Sequence, residues 1–192
     1  MNFKSTKAFA LIAGTAFAAT LSLPLAASAA DNTVMVGGQA MSPSKDIVDN
    51  AVNSADHKTL VAAVKAAGLV DTLKGKGPFT VFAPTDKAFA SLPAGTVDGL
   101  LKPESKGTLT KVLTYHVVPG RYDFAALQKE IGKHGGKVQL KTASGGMLSF
   151  AMNGPHNIQV MDETGHTANI STYDVAQSNG VINVIDTVLT PQ

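Results

Sequence analysis

Apolar residues recur at helical spacing through the middle of the chain and at every second position after Gly135. Ser42 followed by Pro43 has the form of a helix start, with Ser as N-cap and Pro at the first helical position. A first helix is predicted from there to about Asn53, with Ile47, Val48, Ala51 and Val52 as its stripe. A second starts at Asp56 as cap and carries Leu60, Val61, Val64 and Ala67 on one side. Gly68 then Leu69 reads as a Schellman ending. A short helical turn follows through Leu73, and Gly75-Lys76-Gly77-Pro78 breaks it.

Phe79-Thr80-Val81-Phe82 is a β-rich run ending at Ala83-Pro84. Thr85 caps the next helix, which holds Ala88, Phe89 and Leu92 and stops at Pro93. A short helix is predicted from Thr96 to Leu101. Pro103 opens a longer one, with Leu109, Val112, Leu113 and His116 on one face. After Pro119-Gly120, Asp123 to Ile131 reads as a last helix. Val138/Leu140, Met147-Leu148 with Phe150, Ile158/Val160, Ile170 and Val181-Val184-Ile185 then read as strands, with Asp162-Glu163-Thr164-Gly165 as a hairpin turn. Helices first and strands second predict an α+β domain.

The first segment follows a different pattern. Lys4 and Lys7 precede an uncharged apolar run from Ala8 to Leu23, then Pro24 and the small residues Ala27-Ser28-Ala29. That order predicts a secretory signal peptide over 1–29, cleaved after Ala29 or Ala30. Residues 30–43, punctuated by Gly37-Gly38 and Ser42-Pro43, read as a linker, and 44–192 as the domain. Of 16 basic and 14 acidic residues, two cations fall in the leader. The remainder is formally neutral, which argues against nucleic acid as a partner and against a polybasic membrane patch. Without cysteine there is no disulfide, thiolate nucleophile, Cys-based zinc site or lipid-bearing Cys. The last residues, Val188 to Gln192, have no apolar tail. The expectation is an exported chain, periplasmic or extracellular, with no membrane anchor after cleavage.

Three segments then narrow the reading. Thr80-Val-Phe-Ala-Pro-Thr-Asp86 with Ala88-Phe89, Tyr115-His116-Val-Val-Pro119-Gly120, and Asn179-Gly-Val-Ile-Asn-Val-Ile-Asp186 with Val188-Leu189 resemble, in order, the motifs of the fasciclin (FAS1) family. The resemblance covers about residues 44–191 and is nearest to single-domain secreted bacterial members. It implies the FAS1 fold, with N-terminal helices packed on a β-sheet wedge or sandwich built largely by the C-terminal half. It also implies an adhesive role, with the Tyr-His region linked to integrin binding in animal members. The family often has His where this chain has Asn183.

Most motif residues read as structure. Phe82 and Phe89 supply core area, Pro84 sets chain direction and Thr85 caps a helix. Thr80, Pro119, Gly120, Asn179, Gly180, Asn183 and Asp186 belong to the same framework, and the strand around Asn183 reads as covered on both faces. His116 lies on an apolar helix face and reads as a satisfied core residue. Tyr115, pointing elsewhere, is expected to be partly exposed and is the better candidate for partner contact.

Other chemistry finds little support. His134, His156 and His166, with Asp162 and Glu163, lack zinc-motif spacing. There is no Asp-rich calcium loop, Gly-x-Ser-x-Gly elbow or phosphate loop. Asn169-Ile170-Ser171 matches the glycosylation triplet. No catalysis, metal or cofactor is expected. The leading expectation is an adhesion or binding module for a cell-surface protein or extracellular polysaccharide. The alternative is a periplasmic carrier of a small apolar ligand, suggested by high apolar content with few aromatics.

Overall fold

The computed structural model describes residues 33–192. The predicted leader lies outside the described residues. The stretch read as linker carries instead a hairpin, β1 (Val34–Val36) and β2 (Gln39–Met41), turning at Gly37-Gly38. Its Val36 and Met41 are buried in the main core. Two strands of three residues are too short to show a period, so only tertiary packing reveals them.

The helices are α1 (Ile47–Ala51), α2 (Lys58–Ala67), α3 (Val70–Lys74), α4 (Asp86–Ala90), α5 (Thr96–Leu100), α6 (Lys106–Tyr115) and α7 (Phe124–Lys133). The start of α1 falls later than the Ser42-Pro43 signal suggests. Asp46 is its N-cap and accepts from Asp49 N–H at 2.8 Å. Gly68 ends α2 at φ 72°, and Leu69 N–H returns to Val64 O at 3.0 Å, as a Schellman ending requires. Thr85 caps α4 through Ala88 N–H, and Asp123 caps α7 through Ala126 N–H. Pro103 opens a 3₁₀ turn that leads into α6.

The remaining strands are β3 (Phe79–Pro84), β4 (Val117–Pro119), β5 (Lys137–Lys141), β6 (Met147–Met152), β7 (Ile158–Met161), β8 (Thr167–Gln177) and β9 (Gly180–Ile185). They form one sheet in the order β4-β3-β9-β8-β7-β6-β5. β3 and β9 run parallel, from Phe79 opposite Gly180 to Pro84 opposite Ile185. The other pairs are antiparallel. β8 meets β7 through residues 167–169 and β9 through residues 170–177, so this long strand joins two parts of the sheet. The far ends approach where Ala143 N–H donates to Val117 O at 2.7 Å. The sheet thereby becomes the wedge of an α+β domain.

Two cores result. Helices α1, α2 and α6 press Ile47, Leu60, Val64 and Val112 against Val81, Ile182 and Val184. On the opposite side, α7 and β5–β8 enclose Phe82, Leu127, Phe150, Ile158 and Ile185. β9 lies between them, and all six of its residues are buried. Adjacent side chains face opposite cores, so a run that is apolar on both sides, interrupted here only by the hydrogen-bonded Asn183, is what this central position demands.

Candidate functional site

The three motifs meet around β3 and β9. Thr80 Oγ1 donates to Gly120 O and accepts from Tyr122 N–H, both at 2.8 Å, tying the strand to the turn beyond β4. Asn179 Oδ1 accepts from Ile47 N–H at 3.1 Å, while its Nδ2 donates to Leu73 O at 2.7 Å. One side chain thus holds the start of α1 and the end of α3. Gly180 has no room for a side chain, because a Cβ there would lie 2.0 Å from Phe79 O. Asn183 sits where β8 bulges. Its Oδ1 accepts from Asp174 N–H at 3.1 Å, and its Nδ2 donates to Tyr122 O at 3.3 Å. Asp186 Oδ1 accepts from Asn169 N–H at 2.8 Å, with Asn169 Nδ2 on the other oxygen. Phe82, Pro84 and Phe89 are buried, whereas Pro119 is exposed at the end of β4.

Asp86 has a second role. Its oxygens accept from Thr59 N–H at 2.8 Å and Lys58 N–H at 3.3 Å. It therefore caps α2 from a distant part of the chain, where Asp56 was expected to do so. Burial pushes the Asp86 carboxyl upward, but the amide donors from Thr59 and Lys58 outweigh it and hold the group below its ordinary value.

His116 is the hub of the central motif. It is 2% exposed. Nε2 accepts from Leu189 N–H at 3.0 Å, which requires the proton to be on Nδ1. Nδ1 then donates to Val112 O at 2.8 Å. The ring joins α6 to the segment after β9. Burial lowers its pKa to about 4, so it is neutral at neutral pH.

Tyr115 departs from the expectation of exposure. Its relative exposure is 0%, and the ring lies in the second core. Its hydroxyl donates to Met147 O at 2.8 Å and accepts from Glu163 N–H at 3.1 Å. The helix face opposite the main stripe is normally wet, but here α6 ends between the two cores and β6 covers it. Gly146 leaves space for the ring, since a Cβ there would meet Tyr115 Cε2 at 2.8 Å. Burial raises the phenol to about 12. Tyr115→Phe is expected to cost about 1–2 kcal/mol by leaving Met147 O and Glu163 N–H unpaired, lowering Tm by several degrees in thermal unfolding.

The histidines of the strand-rich half are not brought together. His134 and His156 are exposed at separate turns. His166 Nδ1 stands 3.3 Å from Asp162 Oδ2. Among the described residues no group of three His, Cys, Asp or Glu is placed to hold a metal ion. Asp162 instead accepts from Thr164, His166 and Thr190 N–H at 2.8–3.0 Å, closing its hairpin and pinning the C-terminal segment. Burial pushes this carboxyl up, yet the donors, Thr190 foremost, bring it below its ordinary value.

One cavity of about 100 Å³ lies between α1–α3 and the sheet. Val48, Leu60, Val64, Leu73 and Ile182 line it, with His57 among them and Lys65 and Thr72 at exposed positions. The His57 ring is neutral-leaning, because burial lowers its pKa more than Ala83, Asp56 and Asp86 raise it.

The fasciclin domain family matches residues 55–191. The chain belongs to the fasciclin family. It is 43% identical over 161 residues to Protein sll1483 of Synechocystis, covering 84% of this chain and 82% of that one. It is 35% identical over 167 residues to the cell surface glycolipoprotein MPB83 of Mycobacterium bovis, covering 81% of this chain and 64% of that one. A solved FAS1 domain pair from the insect cell adhesion molecule Fasciclin I superposes with a TM-score of 0.65. That match has 21% identity and covers 76% of this chain and 50% of the other. This fasciclin domain thus has the fold of a domain pair from an adhesion molecule and is similar in sequence to a protein named for the cell surface.

Proposed function

We propose that this fasciclin domain is an extracytoplasmic binding module that attaches to a cell-surface protein or an extracellular polysaccharide and performs no catalysis. The likeness to a protein named as a cell surface glycolipoprotein carries the reading. The side-chain chemistry supports it. His116, Tyr115, Asn183 and Asp162 all spend their polar atoms on bonds within the fold. No helix among the described residues is long and apolar enough to cross a membrane.

Because Tyr115 and His116 are buried, attachment runs through other surface. Met35, 61% exposed, and Val52 are the large apolar side chains that face solvent among the described residues. A strain lacking the chain is expected to attach poorly to surfaces, and complementation with the parent or with Tyr115→Phe is expected to restore attachment equally. Unchanged attachment by the deletion strain across several surfaces would reject the reading.

A further inference from the structure

We propose that the cavity between α1–α3 and the sheet binds a small, mostly apolar molecule carrying one hydrogen-bond acceptor, which the His57 ring receives through Nε2. This proposal does not rest on the attachment reading and stands whether or not the domain is adhesive.

The cavity is lined mostly by apolar side chains, from helices α1, α2, α3 and α6 and from the strands they cover, β3 and β9 among them. An apolar cavity of this kind stays dry, because water entering it finds too few polar partners. An engineered cavity of about 150 Å³ takes up benzene. At about 100 Å³ the present one suits a body of that order or a little smaller, such as a five- or six-membered ring or the end of a short chain. Pockets for drug-sized ligands run to roughly 300–1,000 Å³, so larger molecules are excluded from full burial.

His57 makes this more than a packing gap. It is 3% exposed, lines the cavity, and its Nε2 is buried with no hydrogen-bond partner. Buried polar atoms are normally paired, and one left alone costs stability. Its other nitrogen, Nδ1, stands 2.8 Å from Ser54 Oγ. A serine hydroxyl donating to Nδ1 leaves the proton on Nε2, making it a donor. The Ala83 carbonyl favours a proton in the same region without reaching hydrogen-bond geometry. The cavity therefore presents one N–H in an aliphatic surround. The matching ligand has an apolar body and a single carbonyl or ether oxygen. A charged head is disfavoured, since a neutral ring would not compensate its desolvation.

Lys65, Thr72 and Ala143 line the same cavity from exposed positions, and the two on helices, Lys65 and Thr72, mark the entrance in this proposal. His57 precedes the first residue of α2 and Lys65 lies in its last turn. Eight residues of helix separate them, or about 12 Å at 1.5 Å per residue. The entrance and the buried donor thus lie at opposite ends of one helix, and a ligand slides in along its apolar face.

The test uses the chain as a whole with cyclohexanone and, as a ring of similar size without a carbonyl, benzene. Cyclohexanone at about ten times its dissociation constant is expected to raise Tm by about 3–5 °C. It is also expected to move the ¹⁵N and ¹H signals of the His57 ring N–H, whereas benzene raises Tm and leaves the N–H undisplaced. Val64→Phe, which fills the cavity, is expected to abolish both responses. A Tm indifferent to the ketone overturns the site. A His57 signal indifferent to the ketone overturns the role of its donor. A Tm rise that survives Val64→Phe places the binding elsewhere and also overturns the proposal. Because the ring signal is read on the parent chain, the result does not depend on whether a His57→Phe variant folds.

Discussion

His116→Ala is expected to lose about 4 kcal/mol of stability, the largest effect of any single polar substitution in the domain. The ring satisfies two backbone groups at once, Val112 O in α6 and Leu189 N–H beyond β9, and both lie where water does not reach. Removing it leaves each unpaired at about 1–3 kcal/mol. The vacated ring volume adds a cavity term, because a packed interior relaxes only in part. Domains of this kind have about 5–15 kcal/mol in total, so the variant sits close to unfolding at ordinary temperature. His116→Gln places a donor and an acceptor on a chain of similar reach and is expected to recover about half the loss. Urea unfolding midpoints of the three proteins, taken at one pH and with unchanged slope, decide the matter. Equal stability of His116→Ala and the parent would show that the two backbone groups find other partners.

The same residue explains why a family motif need not be a surface. His116 holds the C-terminal segment against α6, and Tyr115 beside it holds the β6 and Asp162 turns against the second core. Loss of attachment in a Tyr115→Ala or His116→Ala protein would report lost structure before it reported a lost contact. Tyr115→Phe keeps the ring in place and removes only the hydroxyl, so it separates the two causes.

How far the fold could be foreseen depends on where each signal is stored. Gly68-Leu69, Thr85 and Asp123 act on their own helix ends, and local sequence shows them plainly. The alternation after Gly135 and the apolar residues on both sides of Asn183 at 181–185 likewise announce one-sided and two-sided burial. What escaped was chemistry made between distant segments. Asp86 looks like part of its own helix start, yet its carboxylate caps α2, which begins 28 residues earlier. Tyr115 looks exposed on a helical wheel because the wheel knows one core, and the domain has two. Gly146 carries no local signal of its role, which is to make room for a ring from another element. His57 gave no signal at all. It is one histidine before an amphipathic helix, and only the assembled cavity shows that its Nε2 faces no partner. At the functional site the motif residues serve as framework, and none of them points to the cavity, whose lining is spread over ten elements.

Mild acid is expected to destabilise the domain well before its carboxylates titrate. In the unfolded chain the His116 ring takes a proton near 6.5, and in the folded domain burial delays this to about 4. Between those values the unfolded state binds a proton that the native state refuses, so stability falls as pH falls. The stability is fully present above pH 6.5, erodes progressively to pH 4, and below that the group contributes no further change. The whole step is worth about 3 kcal/mol, since a tenfold change in proton affinity is about 1.4 kcal/mol. His57, lowered by burial, adds in the same direction. Asp86, Asp162 and Asp186 act later. Their folded pKa values lie below the ordinary 3.8, so the stability they provide is lost only as pH falls below that range. Two separate declines are therefore expected in unfolding free energy measured from pH 7.5 to 3, one from the imidazoles and one from the carboxylates. In His116→Gln the first decline shrinks to the His57 share while the second remains. A parent protein whose stability stays level from pH 6.5 to 4 would mean that the ring titrates normally. That outcome is incompatible with Nε2 accepting from Leu189 N–H in a dry interior, because a protonated ring has no acceptor to offer.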